Sequence, residues 1–308
     1  MDIIVTSVIF TAGIVFLIKG SDLFIGAATR TARDFGVSEF IIALVLASIA
    51  TTLPEMTVSA LAAYRGESGI AVGNGVGSAL ANIALILGVS SMIKPLRVDR
   101  IALKNSLFLL GVTGYLALLM MDGTISRLDG LSLTLIYAAF LYYLYKNQVS
   151  LESPEGENGP NPWRDTAIMF GSGLLVVAGA EMVIRSAVEI ARAAGIPEVV
   201  IGLTLVSIGT SLPELTNSLM ATLRNLPNIS VGNIIGADIL DILMVIGIAA
   251  LIRPLHVGGD VLRVTMPLTL TVMLALSVSL KRNSSVGRLT GAVFLAVYAV
   301  FLYIQFLS

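Results

Sequence analysis

Ten stretches of this sequence stay apolar for about the length a helix needs to cross a lipid bilayer. They run over residues 3–29, 37–64, 70–93, 101–121, 126–145, 166–194, 196–223, 229–252, 261–280 and 285–307. A crossing takes roughly 20 residues, and within hydrocarbon each backbone N–H and C=O must find its partner inside the segment, which a helix provides. The pattern therefore predicts an all-α polytopic membrane protein of ten transmembrane helices with short joins. Composition agrees: 56% of the 308 residues are hydrophobic and 13% charged, against about 25% charged in a soluble domain. Nineteen Lys and Arg against twenty Asp and Glu give no basic field for a nucleic acid. No cysteine is present, which excludes disulfides and thiolate metal sites, and the single His256 removes zinc-protease and Ser-His chemistry. A non-enzymatic protein whose partner is the bilayer itself is expected, with no cofactor and no protein partner implied.

The first run could be taken for a signal peptide. Asp2 stands where a basic start would be, and the apolar run passes Lys19 without an obvious cleavage site, so it is read as a retained helix. Residues 147–163 contain Glu152, Glu155, Glu157, Pro154, Pro160 and Pro162, and read as a solvated linker rather than a calcium sensor. Orientation follows from basic residues. Joins after odd-numbered spans hold Arg30, Arg33, Lys94, Arg97, Arg100, Lys104, Lys146, Arg164, Arg224, Lys281, Arg282 and Arg288. The opposite side holds Arg65, Arg127, Arg185, Arg192, Arg253 and Arg263. Twelve against six places the first set, and the 147–163 linker, in the cytoplasm and both termini outside the cell membrane.

The two halves align without a gap at an offset of 159 residues. Ile42–Val98 carries ATTLPE and GNGVGSALAN; its partner from Ile201 carries GTSLPE and GNIIGADILD. The same offset pairs Gly20 with Gly179, Asp22 with Glu181 and Arg33 with Arg192. Residues 1–146 form one five-helix unit and residues 164–308 the other. Because five crossings is odd, the second unit enters the membrane from the opposite face, giving two inverted repeats. Secondary transporters are built this way, with the substrate site near midplane where the repeats meet.

Polar residues recur at that meeting point. Pro54 and Pro213 each lack an N–H and crowd the carbonyl four residues back, at Ala50 and Gly209. This predicts proline-broken helices at the centre, with carbonyls freed near Ser48–Thr51 and Ser207–Thr210. Glu55 and Glu214 follow the breaks, where the N–H groups of a new helix favour a carboxylate. Buried acids are costly without a partner, and no Lys or Arg falls in the middle of a predicted span to neutralise Glu55, Glu214 or Asp241. Oxygen ligands without nitrogen or sulfur suit hard cations: Ca²⁺, Mg²⁺ or Na⁺. The hydroxyls of Thr51, Thr52, Ser78, Thr210 and Ser211 suit smaller monovalent sites nearby.

These paired TTLPE/TSLPE and GNxxG motifs resemble the calcium/cation antiporters, most closely archaeal-type sodium/calcium exchangers, over nearly the whole chain. The resemblance implies a central cluster of Glu55, Glu214, Asn82 and Asp241, and flanking sodium sites drawing on Thr51, Thr52, Ser78, Thr210, Ser211 and the Ser48 and Ser207 carbonyls. It also implies alternating access, with the first and sixth helices sliding over the remaining bundle, and exchange of Na⁺ for Ca²⁺. Three positions depart from the pattern. Ala50 stands opposite Gly209; Ala237 replaces the serine matched by Ser78; Asp238 replaces an asparagine.

Asp238 reads either as a ligand or proton site, or as a polar residue facing a solvated vestibule. Asp22 and Glu181 read as structural groups near the interface, and His256, opposite Arg97, as a surface residue. A Ca²⁺/H⁺ exchanger or a K⁺-dependent one is the alternative within the class, and a cation channel lies outside it. An intramembrane protease would need paired catalytic groups that the sequence does not arrange.

Overall fold

The computed structural model describes residues 3–34, 37–148, 162–193 and 211–307. Among these residues nine helices are long and apolar enough to cross a membrane. They coincide with nine of the ten expected runs. The seventh run, 196–223, is described only over its final Leu212–Leu223 helix.

The long helix α1 (Ile3–Asp34) is followed by a span built from α2 (Glu39–Ile42), a π-helical turn at Ala43–Ala47 and α3 (Ser48–Arg65). The next span is α4 (Ser68–Ala81), a π-helical turn at Asn82–Leu87 and α5 (Gly88–Ile93). Helices α6 (Arg100–Leu119) and α7 (Arg127–Gln148) complete the first half. The second half has α8 (Pro162–Ala193) and α9 (Leu212–Leu223). Then come α10 (Pro227–Leu240), a π-helical turn at Asp241–Val245, α11 (Ile246–Ile252), α12 (Met266–Asn283) and α13 (Arg288–Leu307).

Local structure repeats at the sequence offset. Two of the π-helical turns begin at Asn82 and Asp241, 159 residues apart. The turn before α4 is made by Gly66 at φ 84°, and the turn before α10 by Asn225 at φ 62°; asparagine is among the few other residues that tolerate this region. Ser59 Oγ donates to the Ala71 carbonyl at 3.2 Å, and its mate Ser218 Oγ to the Ser230 carbonyl at 3.5 Å.

Two antiparallel ribbons join the halves. Strand β1 (Leu96–Arg97) pairs with β4 (Ser285–Val286), and β2 (Thr124–Ile125) pairs with β3 (Leu255–His256). Each ribbon takes one strand from each half. They are extended by Val98 N–H to the Ser284 carbonyl and Val257 N–H to the Gly123 carbonyl, both 2.9 Å.

Pro54 does not break its helix. It lies inside the continuous α3, which corrects the expectation of an interrupted segment there. Membrane helices tolerate proline where hydroxyl side chains and local π adjustment re-satisfy the backbone. The helix runs on through Pro54, with a π turn upstream at Ala43–Ala47. Pro213 behaves differently: it stands in the first turn of α9, after Ser211.

Helices α1 and α8 pack along one another. A Cβ on Gly179 would lie 2.8 Å from the Leu17 amide nitrogen and 2.9 Å from the Gly13 carbonyl oxygen, so the backbones touch directly. The core of the remaining helices is apolar, with Leu80, Ile83, Ile86, Leu87, Ile239 and Ile242 fully or almost fully buried.

Candidate ion-binding site

The polar residues sit where α3, α9 and the two π-turn spans converge. Thr51 and Glu55 fall one turn apart on α3, and both are buried, as are Ser48 and Thr52. Glu214 lies in the first turn of α9, where helix N–H groups favour an acid. Glu55, by contrast, lies in the interior of α3 because Pro54 leaves that helix intact. Its position is fixed from outside: Asn74 Nδ2 donates to the Glu55 carbonyl at 3.1 Å and to Ser59 Oγ at 2.9 Å.

The two halves meet through their polar groups. Thr52 Oγ1 donates to Glu214 Oε1 at 3.5 Å. Asn82 Nδ2 donates to Asp241 Oδ2 at 3.4 Å, a contact between residues 159 positions apart. Glu55 lies within electrostatic reach of Glu214 and Asp241, and Asp238 within reach of Asp241. Glu55, Glu214, Asn82 and Asp241 are each 1% exposed and Asp238 is fully buried.

Many of these atoms lack a partner. Glu55 Oε2, Glu214 Oε2, Asn82 Oδ1, Asp241 Oδ1, both oxygens of Asp238 and Ser211 Oγ are buried without a hydrogen bond. No ion pair reaches these acids among the described residues. Orphaned buried oxygens are expensive, and a cluster of them with no basic side chain beside it is chemically suited to a hard cation. Also among the described residues, no three His, Cys, Asp or Glu side chains converge closely enough to hold a metal alone. A cation there would need the Asn82 amide, hydroxyls and carbonyls as well.

Ser78 is buried on α4, one turn before Asn82, and its mate Ala237 is buried on α10. Thr210 and Ser207 lie outside the described residues. Thr51 Oγ1 turns back to the Ser48 carbonyl at 3.3 Å. Asp22 pairs with Arg224 and Glu181 with Arg185, and His256 is exposed on β3. Two buried amides escaped the sequence reading. Asn217 and Asn233 have no partner on either side-chain atom. Asn233 was visible as the second GNxxG asparagine, and Asn217, three residues after Glu214, was visible only by its helical spacing.

The model of the family described as sodium/calcium exchanger protein matches two stretches of the chain, residues 5–146 and 165–307. The chain belongs to the sodium/calcium exchanger protein family. Relatives of this exchanger-family chain span its whole length. An uncharacterized membrane protein of Methanocaldococcus jannaschii is 36% identical over 292 residues, 94% of this chain and 95% of the relative. The sodium/calcium exchanger MaX1 of Methanosarcina acetivorans is 30% identical over 347 residues, 99% of each chain. A structure of the sodium-calcium exchanger NCX_Mj in 10 mM Na⁺ without Ca²⁺ superposes at a TM-score of 0.88. It is 37% identical and covers 97% of this chain and 98% of that one.

Proposed function

We propose that this exchanger-family chain is a secondary antiporter that moves Na⁺ against Ca²⁺ across the cell membrane by alternating access. The observation that carries this reading is the buried cluster of unpartnered oxygens from Glu55, Glu214, Asn82 and Asp241, which no basic side chain neutralises among the described residues. Glu55 and Glu214 bind Ca²⁺ from the two halves, with Asn82 and Asp241 completing the central shell. Thr51, Thr52, Ser78, Thr210, Ser211 and the Ser48 and Ser207 carbonyls supply flanking Na⁺ sites. One cage of limited charge cannot hold both cargoes in full, so binding of Na⁺ and of Ca²⁺ is mutually exclusive.

The architecture belongs to the same proposal: ten crossings in two inverted five-helix repeats, 1–146 and 164–308, joined by a cytoplasmic linker, with both termini outside. It is supported by the family match in two stretches. Further support comes from the π turns at Asn82 and Asp241 and from strands β1 and β3, which the offset superposes. Asp238 favours a second reading, a calcium/proton exchanger, because its buried carboxyl has no partner and Ala237 removes a hydroxyl from the sodium side.

Reconstituted protein in liposomes separates the readings. An outward-directed Na⁺ gradient is expected to drive ⁴⁵Ca²⁺ uptake above equilibrium. Uptake that ignores Na⁺ and follows a pH gradient would instead establish the proton exchanger. Downhill flux alone, at channel-like rates, would favour a channel.

A further inference from the structure

Helices α1 and α8 are tied to each other and, by an ion pair, to α9. Arg30 Nε on α1 binds Asp165 Oδ1 on α8 at 2.8 Å, and the direct backbone contact at Gly13 and Gly179 makes the pair a unit. Asp22 on α1 instead pairs with Arg224, the residue that closes α9. Any slide of the α1–α8 unit past α9 can keep the first ion pair but must break the second.

The repeat offset gives the second pair a counterpart on the other face. Asp22 corresponds to Glu181 on α8, and Arg224 to Arg65 at the end of α3. That counterpart is not formed. Glu181 pairs with Arg185 one turn along its own helix, and Arg65 is exposed with no ion pair among the described residues. The sequence explains the difference. Arg185 occupies the position that matches Gly26, and at Gly26 the missing side chain leaves room for the Arg224 guanidinium, 3.6 Å from where a Cβ would sit.

We propose that Asp22–Arg224 and Glu181–Arg65 are alternating latches. The first closes the cytoplasmic face in the conformation described here, and the second closes the outer face once α1 and α8 have slid, while Arg185 holds Glu181 in reserve. The proposal rests on the alternating access and orientation argued above. It makes Asp22, Arg224, Glu181 and Arg65 positioning residues that touch no ion. Asp22 and Arg224 are 42% and 37% exposed, so the latch is weak enough to open in every cycle, as a half-exposed pair should be.

Two measurements test this. In Asp22→Asn the cytoplasm-open state gains population, so the Ca²⁺ concentration for half-maximal transport should fall roughly two- to five-fold at the cytoplasmic face and rise at the outer face. Arg65→Gln should shift the two faces in the opposite directions, and the charge exchange Asp22→Arg with Arg224→Asp should restore the wild-type balance. Equal losses at both faces would overturn the proposal, since damage to the fold has no preferred side. The absence of cysteine from the chain allows the second measurement. Cysteine pairs placed at 22 and 224, or at 65 and 181, are linked with a short bis-methanethiosulfonate, whose disulfide links a thiol reductant cleaves. The first pair should link at rest and the second only during turnover with ions on both sides, each link stopping flux until it is reduced. A 65–181 pair that never links, in a variant whose Na⁺-driven Ca²⁺ uptake is intact before treatment, would overturn the latch while leaving the exchange function standing.

Discussion

Glu55 and Glu214 each keep one carboxylate oxygen without a donor in a region sealed from solvent. Replacing either by Gln keeps its size but removes the charge that a divalent ion needs. Glu55→Gln and Glu214→Gln are each expected to reduce Na⁺-dependent ⁴⁵Ca²⁺ uptake in liposomes to the background of protein-free vesicles. Asp22→Asn, which lies outside the cluster, should keep exchange. Ala237→Ser restores a hydroxyl opposite Ser78. Competition of Na⁺ with Ca²⁺ uptake should then show half-inhibition at roughly five-fold lower Na⁺, the effect of one added ligand worth about 1 kcal/mol. The identities of these residues were legible in the sequence because acids in apolar runs stand out and the offset marks their partners. The anchoring of Glu55 by Asn74 and Ser59 was not legible, since it depends on how α3 and α4 lie against each other. Asn217 was hidden for a related reason: its mate is Val58, so the repeat carries no signal there.

Among the elements, α10 does most to place the site, because Asp238 and Asp241 ride on it. It lies so close to the upstream span that a Cβ on Gly236 would collide with the Leu44 carbonyl and with Ser48 Oγ, the latter at 2.7 Å. Gly236→Ala must displace backbone, and overpacking of this kind costs about 1–3 kcal/mol. Thermal unfolding in detergent should register a lower Tm, and uptake should fall with it as Asp241 moves away from Asn82. The glycine could be read in the sequence, but its packing role could not be separated from a role in placing ligands. The structure shows the close approach itself, to Leu44 and Ser48. Proline was the misleading signal. A missing N–H suggested a broken helix at Pro54, yet the helix continues through it over Ser48–Arg65. A sequence reports the hydrogen bond that proline removes and is silent about whether the turns on either side hold.

For the whole molecule, apolar run length gave the helical membrane fold, and nine of the ten runs appear as spans among the described residues. An odd number of crossings per unit, as proposed above, would relate the units by inversion. Ion coupling also belongs to this scale. If both cargoes share one cage, raising Na⁺ on the side from which Ca²⁺ enters should raise the apparent KM for Ca²⁺ without changing the maximal rate. A fall in the maximal rate alone would indicate separate sites.

The two-residue strands are too short to matter as sheets, but their pairing joins the first half of the chain to the second at two places. They act as rivets. Under the alternating access proposed above, two halves fastened at two places would not swing apart like the covers of a book, and motion would be left to helices outside the fastening, as α1 and α8 are. The same rivets make the covalent tie between the halves dispensable. A chain severed within residues 149–161 and produced as two polypeptides should still assemble, co-purify and transport, held by the cross-braces that hold the intact protein.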